Sequence, residues 1–101
     1  MKIRFLTFAQ QEVDDAVQCY SNQTENAALE FLDELDRAVR LVTSYPLALP
    51  EIEPEIRRCL LARFPFALIY GIEPETIVII AVAHLRRQPG YWADRIAPSD
   101  L

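Results

Sequence analysis

The stretch Thr76-Ile77-Val78-Ile79-Ile80-Ala81-Val82-Ala83 decides the fold, because nothing polar alternates with its apolar residues from Ile77 to Val82. A strand with one wet face needs a polar residue at every second position, so this run predicts a central strand covered on both faces. Working backwards, Glu73-Pro74-Glu75 reads as a turn and Phe66 to Ile72 as a second strand. Pro65 marks another turn, and Ile56 to Phe64 reads as a third strand. Short strands joined by such tight turns make an antiparallel meander. Residues 46–55 hold three prolines and no helical period, which predicts a loop leading into that meander.

The first half carries the layer that covers the sheet. Lys2 to Leu6 reads as a short strand. Thr7 with Gln10 three positions on has the form of a capping box. Ala9, Val13, Ala16, Val17 and Tyr20 then recur at helical period on one face. Ser21 to Thr24 is a polar break, with Thr24 as a second cap. From Ala28 the apolar positions Phe31, Leu35, Ala38, Val42 and Tyr45 form a second stripe, which Leu32, Val39 and Leu41 widen. Asp33–Arg37 and Asp36–Arg40 are i,i+4 pairs, each contributing roughly 0.2–0.5 kcal/mol. Pro46 stops the helix by breaking its hydrogen-bond ladder. The expectation is an α+β domain over residues 1–101, with strand order β-α-α-β-β-β along the chain. An antiparallel helical hairpin packs on one face of a mostly antiparallel, twisted sheet. One helical layer leaves the other face partly open, a candidate surface for a partner.

Composition narrows the function. Ten Lys and Arg against fifteen Asp and Glu give a net charge of -5. That excludes a generic nucleic-acid binder held by bulk positive charge, and specific DNA binding by this chain alone is not expected. The charge is unevenly spread. Residues 1–56 hold four basic and eleven acidic side chains, a balance of −7, whereas residues 57–101 hold six arginines and four acids, a balance of +2. Lys2 is the only lysine, so the cationic chemistry is arginine chemistry, suited to planar oxyanions. No apolar run reaches the roughly 20 residues of a membrane span, and no signal-peptide pattern opens the chain. With Cys19 and Cys59 far apart and one histidine, no metal or other cofactor is expected. Both thiols read as small buried residues of a reducing cytoplasm.

The second half concentrates the reactive side chains. Arg57, Arg58 and Arg63 bracket the first strand of the meander. His84 ends the last strand, followed by Arg86, Arg87, Tyr91, Trp92 and Arg95. Arginines interleaved with aromatics suit phosphate contact with base stacking, at about 1–3 kcal/mol per stacked base. They equally suit docking of an acidic, partly hydrophobic peptide. Structural roles compete: His84 satisfied by a backbone carbonyl, and Arg57, Arg58 and Arg63 as solvated charges on an edge strand. Tyr91 and Trp92 could anchor the tail by packing, and Arg95 could pair with the acidic helix surface.

The run Phe64-Pro65-Phe66-Ala67-Leu68-Ile69-Tyr70, followed after a hairpin by Ala81-Val82-Ala83-His84-Leu85-Arg86-Arg87-Gln88-Pro89-Gly90-Tyr91-Trp92-Ala93-Asp94-Arg95, resembles the ParE/RelE superfamily. These are toxins of bacterial type II toxin–antitoxin, or plasmid stabilisation, modules. The resemblance implies a cognate antitoxin protein as partner. RelE-like members cut mRNA on the ribosome, whereas ParE-like members block DNA gyrase. Carried over to this chain, a nuclease role would fall to His84, Arg86, Arg87 and Tyr91. Binding of target or antitoxin would fall to Arg57, Arg58, Arg63, Arg86, Arg87, Tyr91, Trp92 and Arg95. Three departures make the chain closer to the ParE-like members. Ala67 stands where the nucleases carry a strand arginine, the catalytic lysines have no counterpart, and Leu85 replaces a basic residue. The resemblance therefore implies a non-nucleolytic toxin, with a RelE-like endoribonuclease and a non-toxic antitoxin-binding module as alternatives.

Overall fold

The computed structural model describes residues 1–96; residues 97–101, with Asp100 among them, lie outside that range. The chain forms β1 (Lys2–Phe5), α1 (Thr7–Ser21), α2 (Glu25–Ser44), β2 (Glu51–Glu53), β3 (Ile56–Leu60), β4 (Phe66–Glu73) and β5 (Thr76–His84), then a 3₁₀ turn at Ala93–Arg95. The sheet order is β1-β5-β4-β3-β2. β1 runs parallel to β5, with Ile3 opposite Ile77 and Phe5 opposite Ile79, and every other pair is antiparallel. The apolar run of β5 thus lies between two strands, with side chains buried on both faces, as its lack of alternation predicts.

The helical hairpin covers one face. Ala9, Val13 and Ala16 of α1 and Phe31, Leu35, Ala38 and Val42 of α2 pack on Leu68, Tyr70, Ile77, Ile79 and Val82. Tyr20, Phe31, Phe64 and Phe66 form an aromatic cluster with ring centroids 5.1–6.4 Å apart. The Tyr70 hydroxyl donates to the Pro46 carbonyl at 2.7 Å, so the residue that ends α2 is tied to the centre of β4. Thr24 caps α2 by accepting from the Ala27 amide at 3.0 Å.

Several local expectations change. Thr7 is the first helical residue and not the cap, because the Leu6 amide still donates to the Ile79 carbonyl in the strand lane. Residue 6, whose side chain offers no acceptor, therefore occupies the cap position. Tyr45 leaves the apolar stripe and is 62% exposed, since the chain turns away at Pro46. Arg37 pairs with Glu34 at 3.2 Å rather than with Asp33. Glu34 is turned inward to accept from the Ala62 amide at 3.1 Å, which places its carboxylate beside Arg37. The Asp36–Arg40 pair forms at 2.9 Å. Cys59 is buried, and burial pushes its thiol pKa up, whereas Cys19 lies exposed on α1 outside the apolar stripe.

The proline-rich loop contains a strand that local sequence did not signal. Arg57 donates to the carbonyls of Leu47 and Leu49, at 3.2 and 2.6 Å, and to Glu51 at 3.3 Å. The Arg58 amide reaches Pro50 O at 3.1 Å. These bonds draw residues 47–53 against β3 and make β2 the sheet edge. Arg57 and Arg58 are consequently not edge-strand residues. β3 stops at Leu60, and Arg63 adopts a left-handed φ of 68° within the turn to β4.

Glu55 and Glu75 also sit in the left-handed region, at φ 66° and 63°, each after a proline in a hairpin turn. A side chain with a Cβ costs about 1–2 kcal/mol there. Glu75→Gly is expected to raise the unfolding midpoint slightly, the relieved strain exceeding the added flexibility of the unfolded chain. Glu75→Val is expected to lower it, and thermal melts of the two variants provide the check.

Candidate functional site

The face of the sheet turned away from the helices is organised by strand register. Leu60, Ala67 and Ala83 lie side by side across β3, β4 and β5, and Arg58, Ile69 and Ala81 form the next row. The chain after β5 folds back over this face. Trp92, only 4% exposed, packs among Ile69, Ile80, Ala81 and their neighbours, with Tyr91 and Ile96 beside it. The face expected to be partly open is therefore covered along one side by the tail. Ala67 and Ala83 are too small to fill the remaining space. A cleft is left with Ala67, Ile69 and Ala83 as its floor, Trp92 and Pro89 on one wall, and Arg58, His84, Arg87 and one carboxylate, Glu53, around it.

The arginines divide into two groups. Arg57, whose side chain is 18% exposed, is committed to the β2 loop. Arg63 is 65% exposed and stands 3.9 Å from Glu34. Arg95 is bound to Glu12. Among the described residues, Arg58, Arg86 and Arg87 form no ion pair, and two of these three line the cleft. The Arg87 guanidinium lies 3.9 Å from the Tyr91 ring centroid, a cation–π stack that leaves its N–H groups available.

His84 takes a different partner from the expected carbonyl. Its Nδ1 accepts from the Arg86 amide at 3.0 Å, and its ring meets Phe66 edge-on with centroids 5.1 Å apart. With Nδ1 accepting, the neutral ring carries its proton on Nε2. It lies beside Arg87 at the cleft.

Glu12, on α1, is the residue that sequence reasoning missed. Its Oε1 accepts from the Val82 amide at 3.0 Å and from Arg95 Nη1 at 2.7 Å. Its Oε2 accepts from Arg95 Nη2 at 3.2 Å and from the Tyr91 hydroxyl. Arg95 also donates to the Ile80 carbonyl at 3.2 Å. The Glu12 and Arg95 side chains are each 15% exposed, so the pair is largely removed from water. The one available signal is position. Glu12 lies three residues after Ala9 and four before Ala16, at the border of the buried stripe, where a carboxylate needs a partner. The expected pairing of Arg95 with the acidic helix surface thus has a named acceptor. The Arg95 pKa is raised chiefly by its hydrogen bonds to Glu12. Tyr91 is pushed up from 10.0 to about 12, first by burial and then by its hydrogen bond to Glu12.

Residues 3–89 match the family described as the ParE toxin of the type II toxin-antitoxin system parDE. The chain belongs to the ParE toxin family. Its match ends at Pro89, so most of the cleft falls inside it, whereas Tyr91, Trp92 and Arg95 lie beyond it. No curated protein matches the chain significantly. Among solved structures, a chain of the chromosomal ParDE system from P. aeruginosa superposes with a TM-score of 0.65. The two share 19% identity over 83% of this chain and 95% of that one, a likeness of fold.

The Tyr91 shift has a stability consequence. Below its ordinary value of 10.0 the phenol is protonated in both the folded and the unfolded chain and contributes no pH dependence. Between that value and about 12 the unfolded chain loses the proton first, so folded stability falls as pH rises. Urea unfolding across this window should show a weaker pH dependence for Tyr91→Phe than for the parent chain. Equal slopes would mean that Tyr91 does not hold its proton in the folded state.

Proposed function

We propose that this member of the ParE toxin family is the toxin of a type II toxin–antitoxin module and acts in the cytoplasm by blocking DNA gyrase without cutting nucleic acid. A cognate antitoxin neutralises it by laying an acidic, partly apolar segment along the cationic cleft. The observation that carries this reading is the pair Arg58 and Arg87, which have no carboxylate partner among the described residues and stand beside an apolar floor, with Arg86 next to them in the chain and likewise unpaired. Guanidinium groups in that setting favour carboxylate-bearing partners with apolar side chains. No helix among the described residues is long and apolar enough to cross a membrane.

Three features speak against cleavage chemistry. Ala67, at the position of the nucleases' strand arginine, is a buried methyl group in the cleft floor and offers no charge to a phosphate. Tyr91, the candidate proton donor, has its hydroxyl bound to Glu12 and holds its proton up to about 12. Efficient acid catalysis calls for a pKa near the working pH. Arg95 is occupied by the same carboxylate. The second reading, a ribosome-dependent endoribonuclease, draws on one observation: His84 lies beside Arg87 with Nδ1 satisfied and, among the described residues, no partner for Nε2.

Induced expression in bacteria should arrest growth, and purified protein should inhibit gyrase supercoiling while leaving ribosome-bound mRNA intact in primer extension. Cleaved mRNA with normal supercoiling would replace this reading with the nuclease one. Indifference of the cells, with neither effect in vitro, would leave a non-toxic binding module. Replacing Arg86 and Arg87 by alanine together should weaken arrest by about tenfold or more, since a charge-assisted hydrogen bond is worth about 1.5–3 kcal/mol. The melting temperature should change little, both residues being on the surface.

A further inference from the structure

We infer that Glu12 is a positioning residue for the cationic cleft: through the Tyr91 hydroxyl it fixes the ring on which Arg87 is stacked. This rests on the reading of the cleft as the binding surface, but the contact it invokes can be tested apart from toxicity. Of the groups bonded to Glu12, Val82 and Arg95 do not line the cleft, whereas Tyr91 does. A tyrosine anchored only at its Cβ can rotate about two torsions. Here the far end is held too, so the ring face has one orientation relative to Arg87.

The electrostatics point the same way. Two guanidinium groups share the Tyr91 ring, Arg87 at 3.9 Å and Arg95 at 5.1 Å from its centroid. Two cations at one ring repel each other, and the Glu12 carboxylate, bonded to one of them, offsets that repulsion. Glu12 therefore does two things for Arg87: it orients the aromatic surface beneath it and neutralises the neighbouring cation. The consequence for ligand binding has an informative sign. Removing a negative charge near a cationic cleft would, by charge alone, strengthen binding of an acidic partner. A loss of positioning would weaken it.

The test uses the full chain and two variants. Glu12→Gln keeps the side-chain shape and an acceptor for the Val82 amide but removes the charge. Tyr91→Phe keeps the ring and leaves the Glu12 bonds to Arg95 and Val82 in place. In the parent chain, NMR should find the Arg87 side-chain protons displaced upfield by the Tyr91 ring current. Both variants should lose most of that displacement while the remainder of the spectrum stays folded. Unchanged Arg87 resonances in a folded Glu12→Gln or Tyr91→Phe protein would overturn the inference. Should Glu12→Gln not fold, Tyr91→Phe alone decides.

Growth arrest supplies the functional readout. Glu12→Gln should weaken arrest, and adding it to Arg87→Ala should cause no further loss, because both act through one guanidinium. Additive losses, or stronger arrest by Glu12→Gln, would contradict the positioning role. If the parent chain causes no arrest, the toxin reading fails while the NMR comparison still decides whether Glu12 positions Arg87.

Discussion

β5 is longer than the strand beside it, and much of the architecture follows from that mismatch. β1 reaches only Phe5, opposite Ile79, and the Leu6 amide makes the last bond of that lane. β5 continues to His84, with a register shift where it passes Ile69 and Tyr70. Beyond β1, the Val82 amide and the Ile80 carbonyl face a lane that no strand of the described residues occupies. Leaving such a group buried and unbonded costs about 1–3 kcal/mol. Glu12 supplies the acceptor for one and Arg95 the donor for the other, and the two side chains then bond to each other. A carboxylate from the first helix and a guanidinium from the tail thus take the place of a missing strand.

The geometry of the cleft is a consequence. Drawing Arg95 to the β5 edge carries the tail across the face opposite the helices and seats Trp92 on the sheet. Breaking a largely buried pair of this kind leaves an uncompensated charge and costs roughly 3–5 kcal/mol, so the tail is held firmly. The tail covers one side of the face, and the small side chains of Ala67 and Ala83 keep the rest hollow. Arg57 and Arg95, which look like members of one cationic set in the sequence, are occupied by loop carbonyls and by Glu12. Arg58 and Arg87 remain turned to the cleft. The surplus positive charge of the second half is therefore narrower in space than in sequence.

What could be read in advance was what depends on neighbours along the chain. The unbroken apolar run of β5, the two helical stripes apart from the exposed Leu32 and Tyr45, the Thr24 cap and the stop at Pro46 are all local, and all appear in the fold. The features missed depend on distant partners. β2 exists because Arg57 and Arg58 gather loop carbonyls, which no periodicity in residues 46–55 could reveal. Thr7 lost the cap position to a strand bond made with Ile79, and Arg37 found Glu34 because the turn after β3 had already oriented that carboxylate. The Glu12 bonds span 70 to 83 positions along the chain. The candidate site was legible in part: its arginines and aromatics were named, but their division between structural and available groups was not.

Amide hydrogen exchange at Val82 tests the central constraint most directly. In the β4 register Ala81, Val82 and Ala83 stand opposite Ile69, Leu68 and Ala67, and the Val82 amide donates to the Glu12 carboxylate at 3.0 Å. Strong protection of Val82 is expected in the parent chain, together with its collapse in Glu12→Ala while Ala81 and Ala83 stay protected. A Val82 amide that exchanges rapidly in the parent chain, or remains as protected in Glu12→Ala, would contradict the proposition that this carboxylate stands in for the missing strand.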